Sequence, residues 1–131
     1  MRSAFLITSM LSLSLMLAAC ARTQPIYNVA EAPVVTASSG APRLDQVRSA
    51  IITACREKEW FVNPVEDGLI VATAHVRQHT AVVDIHYTPT SYSITYKDSD
   101  TLLYDGEQIH RNYNKWVKLL AEKIDFELNK I

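Results

Sequence analysis

The residues best suited to chemistry are His75, His79 and His86, gathered around Asp84. A neutral imidazole can ligate a metal or take a proton, and a neighbouring carboxylate can complete the ligand pair or orient the ring. Two readings follow: a metal site at His75 and Asp84, or a hydrolytic pair with His75 as base. Spacing weighs against both. Residues four apart on a strand lie about 13 Å apart, whereas metal bonds are about 2 Å long. Only His75 and a diagonal Asp84 come near, at roughly 7 to 8 Å between positions. Ser93 falls beyond an intervening strand, so no nucleophile lies within reach of that base. Asp98, Ser99 and Asp100 begin like a calcium loop, but Leu102 and Leu103 stand where a ligand and a glycine belong. Glycine occurs only at 40, 68 and 106, which cannot build a phosphate-cradling loop or a nucleophile elbow. No catalytic residue, metal or cofactor is expected.

The elements that position these groups follow from periodicity. Leu44, Val47, Ile51, Ala54 and Cys55 recur at helical spacing behind Pro42 and predict an amphipathic helix over 43–58. Cys55 falls on its apolar stripe and reads as a small buried hydrophobe. A short strand around Trp60 to Val62 precedes Pro64 and the Asp67–Gly68 turn. Three alternating runs follow: Ile70 to Val76, Ala81 to Tyr87, and Tyr92 to Tyr96. A turn at Gln78 and His79 would pair Ala74 with Val83 and Ile70 with Tyr87. The next hairpin would pair Tyr87 with Tyr92, Ile85 with Ile94 and Val83 with Tyr96. Tyr113, Trp116, Val117, Leu120, Ile124 and Leu128 give a final helix over about 108–129. The expected fold is a two-layer α+β domain over 43–131, an antiparallel four-stranded meander with both helices on its apolar face. The polar face then carries Thr73, His75, Arg77, Asp84, His86, Thr95 and Lys97. That face could dock a partner, or the last strand, 91–97, could accept an added strand along its edge.

Arg2, an apolar run from Ala4 to Leu17 interrupted only by Ser and Thr, and the sequence Leu17-Ala18-Ala19-Cys20 open the chain. The run is shorter than the roughly 20 residues a helix needs to cross a bilayer, and reads as a leader over 1–19. Leu17 to Cys20 resembles the lipobox of bacterial lipoproteins. The resemblance implies cleavage between Ala19 and Cys20 and thioether lipidation of Cys20, with acylation of its new amino group. Ala21, in place of the Asp that retains such proteins in the inner membrane, implies the outer membrane, with the domain facing the periplasm. The alternative is an ordinary secreted protein cut elsewhere. Residues 20–42, rich in Ala, Thr, Ser and Pro, read as a lipidated cysteine and a flexible tether reaching roughly 25 Å. The alternative there is an edge strand within Ile26 to Val35.

The chain of 131 residues has a formal net charge of -1, and loss of Arg2 with the leader makes it more acidic. Such a chain lacks the basic footprint of a nucleic-acid binder. Beyond the lipobox, the stretch His79 to Tyr87, Tyr92 to Tyr96, and Ile109, His110, Tyr113 and Trp116 are similar to a group of small proteobacterial lipoproteins that carry no assigned activity. The expectation is a non-catalytic, outer-membrane-anchored module that binds an envelope protein or the cell wall. The alternative is a periplasmic metal-binding lipoprotein using His75 and Asp84.

Overall fold

The computed structural model describes residues 22–131. The leader and the junction from Leu17 to Cys20 lie outside the described residues. The elements run β1 (Thr23–Pro25), β2 (Val29–Pro33), α1 (Leu44–Glu57), β3 (Trp60–Glu66), β4 (Leu69–Val76), β5 (His79–Tyr87), β6 (Ser91–Asp100), β7 (Gln108–His110) and α2 (Arg111–Leu128). Apolar periodicity places α1 and α2 close to where the sequence sets them. Gln46 reaches back to accept from the Arg43 amide at 2.9 Å, fixing the start of α1. The last residues before α2 form β7 rather than its first turn.

The expected α+β class is what the chain adopts, but the expected four-stranded meander is larger. Strands β3 to β6 are its four strands, and β2 adds a fifth along β6, giving the antiparallel order β2-β6-β5-β4-β3. A separate two-stranded ladder joins β1 to β7. Thus the expected tether over 20–42 is corrected within its described part, where Thr23–Pro25 and Val29–Pro33 are strands and β2 matches the edge-strand alternative. Val29 supplies the apolar anchor, 8% exposed and opposite Ile94. Asn28 Oδ1 accepts from the Tyr96 amide at 3.2 Å, and the Glu31 amide donates to Ser93 Oγ at 3.0 Å. Because β2 occupies the edge of β6, the expected free edge at 91–97 is corrected as well. The outer strands are now β2 and β3, each containing a proline at a position suited to a sheet margin.

One core lies between the helices and the sheet. Val47, Ile51, Ala54 and Cys55 of α1 and Tyr113, Val117, Leu120, Ile124 and Leu128 of α2 are buried against Ile70, Ala72, Ala74, Ala81, Val83, Ile85, Tyr92 and Ile94. The alanines alternate with large side chains, so the two layers interdigitate. Lys123 of α2 pairs with Glu57 of α1 and with Glu127 at 3.1 Å, joining the helices at their solvent margin.

The first hairpin differs in register from expectation. Its turn is Arg77–Gln78, and the pairs are Ile70 with Ile85, Ala72 with Val83, Ala74 with Ala81 and His75 with Thr80. That is a shift of two residues along the strand. Arg77 takes φ 58, the positive value that a two-residue hairpin turn requires. In the second hairpin the pairs Tyr87–Tyr92, Ile85–Ile94 and Val83–Tyr96 agree with the sequence. A bulge then inserts Lys97, since Val83 faces Tyr96 but Val82 faces Asp98.

Candidate functional site

Alternation along the strands puts one set of side chains in the core and the other on an open sheet face. Three cross-strand rows build that face: Phe61, Thr73, Val82 and Asp98; Asn63, Val71, Asp84 and Thr95; and Glu66, Leu69, His86 and Ser93. Both helices pack on the opposite side. Val71, Val82, Thr73 and Thr95 are half-buried in the middle of the face, and Phe61 is 68% exposed at its border. The result is a mixed surface, in which two half-buried valines lie beside threonines and the Asp84 carboxylate.

The bulge at Lys97 has a local effect. It brings the ammonium within 3.5 Å of Asp84 Oδ1, so the carboxylate at the centre of the face faces a cation. His75 goes elsewhere: its Nδ1 lies 3.1 Å from Thr80 Oγ1, and its ring tilts against Phe61 with centroids 5.7 Å apart. In the observed register Asp84 is opposite Val71 while His75 is opposite Thr80. Two rows therefore separate them, about 13 Å along the strands. His75 and Asp84 are not neighbours, and neither the metal pair nor the hydrolytic pair is assembled. His86 sits farther still, between Leu69 and Ser93. Arg77 lies in the turn, beyond the rows. Thr73, Asp84, His86, Thr95 and Lys97 do share one surface.

The other histidines have separate surroundings. His79 Nδ1 lies 2.8 Å from Thr101 Oγ1, and the ring stacks on His110 and tilts against Trp116, with centroids 5.9 and 6.3 Å away. His110 caps α2: its Nδ1 accepts from the Asn112 amide at 3.1 Å. An acceptor nitrogen must be unprotonated. Burial, followed by the proximity of His79, Arg111 and Arg22, disfavours the protonated ring and holds the His110 pKa below the ordinary histidine range. Cys55 is fully buried, and desolvation pushes its thiol up to about 12, which removes it as a nucleophile. Among the described residues no three His, Cys, Asp or Glu side chains converge as a metal site.

A second feature escaped sequence reasoning. A cleft of about 670 Å³ opens at the outer margin of β3, lined by Arg56, Glu59, Trp60, Phe61, Val62 and His75. Adjacent Trp60 and Phe61 point to opposite faces, so the tryptophan is buried while the phenylalanine is solvent-facing. Their side-by-side placement in a strand was the available signal. The cleft adjoins the open face through Phe61 and His75.

No helix among the described residues is long and apolar enough to cross a membrane. Comparison with protein-family models, with curated proteins and with solved structures gives no significant match.

Proposed function

We propose that this chain is a lipid-anchored protein of the bacterial outer membrane, held through Cys20, whose domain faces the periplasm and binds an envelope protein without catalysis. The observation that carries the binding role is the uncovered sheet face, where Val71 and Val82 sit half-buried among Thr73, Asp84, Thr95 and Lys97. A surface that mixes half-buried apolar side chains with polar and charged groups can serve as a recognition patch. The anchor is argued from Leu17 to Cys20 and their leader alone. Cell-wall binding is the second reading of the same face, but its half-buried valines favour a protein.

The test is photo-cross-linking in cells, with the reactive group placed at Thr73 or Thr95 of the full, processed chain. One envelope protein should be captured reproducibly, and Val82→Arg should abolish its capture while the protein's abundance stays level. Random neighbours, or a partner indifferent to Val82→Arg, would refute the proposal.

A further inference from the structure

From the junction between β1 and α2, we infer that the domain docks on the anionic phospholipid headgroups of its own membrane through Arg22, Arg111, Lys115 and Lys118. The inference rests on the anchoring of Cys20 proposed above and adds which surface meets the bilayer.

The first argument is distance. Position 20 precedes Arg22 by two residues, which span at most about 7 Å of chain. Arg22 is itself fixed: its carbonyl accepts from the Arg111 amide at 2.8 Å, and Thr23 pairs with His110. The following residues are fastened by buried Asn114, which accepts from the Tyr27 amide at 2.9 Å and donates to the Pro25 carbonyl at 2.9 Å. A cysteine acylated at position 20 therefore holds this corner of the domain at the headgroups. Nothing of the expected roughly 25 Å tether intervenes.

The second argument is charge. Arg111, Lys115 and Lys118 stand at helical spacing on one stripe of α2, all exposed, and the first acidic residue of that helix is Glu122. Among the described residues none of these cations, nor Arg22, pairs with a carboxylate. Arg111 opposes the helix dipole, which favours acidic side chains in the first turn, where α2 has none. A recess of about 510 Å³ lies among Gln24, Arg111, Asn114, Lys115, Lys118 and Leu119, with amide and cationic groups on its walls and no carboxylate. Lys118 lies about 10 Å along the helix from Arg111, so the stripe stays within roughly one screening length of the surface holding the anchor. Arg111, unfavourable at the start of its own helix, becomes favourable against lipid phosphates, as do Lys115 and Lys118 beside it.

The experiment uses the full, processed protein reconstituted in phosphatidylcholine vesicles with and without phosphatidylglycerol. Labelling by an amine-acylating reagent is read by mass spectrometry, and the mass of the Cys20 peptide is read from the same sample. Lys115 and Lys118 should label about five-fold more slowly in the anionic vesicles, the factor equivalent to about 1 kcal/mol per basic residue at such a surface. High salt should remove the difference. In Lys115→Gln/Lys118→Gln protein, the amides of 22–28 should lose their extra hydrogen-exchange protection on anionic vesicles. A lipidated Cys20 with equal labelling in both vesicles would overturn the docking inference and leave the anchor standing. An unmodified Cys20 would overturn the anchor and the inference together. Protection that appears instead around Thr73 and Thr95, or only on adding an anionic cell-wall polymer, would also overturn it.

Discussion

His110 combines two demands at one side chain. As the cap of α2 its Nδ1 must accept a hydrogen bond, and burial, then His79, Arg111 and Arg22 beside it, oppose a positive charge on the ring. Because its folded-state value is lowered, its stabilisation is present above the ordinary histidine value of about 6.5 and is lost as pH falls through the folded value. Thermal melts should therefore show a drop in Tm on acidification from neutral pH, and His110→Asn, which keeps a capping oxygen, should flatten it. His110→Ala should lose about 1 kcal/mol at neutral pH, the ordinary worth of a cap. A melting curve for His110→Asn with unchanged pH dependence would show that other groups govern the drop. This role was only partly legible in the sequence. Placing His110 at the start of the last helix followed from periodicity, but stacking against His79 required the long-range packing of β5 against α2. The His75–Asp84 pair shows the opposite outcome. A shift of two residues preserves which face every side chain occupies, so alternation cannot distinguish the two registers, and the Arg77–Gln78 turn has no glycine to mark it.

Among the elements, the long periodic ones were legible and the short ones were not. Helices α1 and α2 and the β4–β6 meander announce themselves by repeated apolar spacing. Strands β1, β2 and β7 contribute Val29 and Ile109 as their fully placed core residues, too few to produce a pattern. Beyond their own ladders they are fastened by side-chain hydrogen bonds from Asn28 and Asn114. Asn114 lies on a helix at 4% exposure with both ends of its amide satisfied by residues about ninety positions earlier. Asn114→Leu removes those partners and leaves the Tyr27 amide unmatched. We expect a loss of about 2 kcal/mol, at about 1 kcal/mol per hydrogen bond. Faster hydrogen exchange should be confined to 22–28 and 108–110. Equal acceleration throughout β4 and β5 would show instead that the asparagine supports the whole fold.

At the scale of the whole molecule, α1, α2 and the inner face of the large sheet share one continuous core. Ile85 is fully buried on the central strand β5, between Ile70 and Ile94. Ile85→Ala should cost between about 2 and 5 kcal/mol, through lost burial and the cavity left behind. The transition should move as one when followed by far-ultraviolet circular dichroism and by tryptophan fluorescence, because Trp60 of the sheet and Trp116 of α2 both pack on the same core. Separated transitions would mean that the sheet and helices unfold independently.

The β1–β7 ladder gives this molecule a direction in which it bears load. A pull applied to the chain at position 22 arrives first at the three residue pairs of this ladder and the Asn114 amide, ahead of the five-stranded sheet. Under the proposed anchoring and binding, drag on a captured partner would be borne by this small clasp, and the wide sheet face would keep its shape.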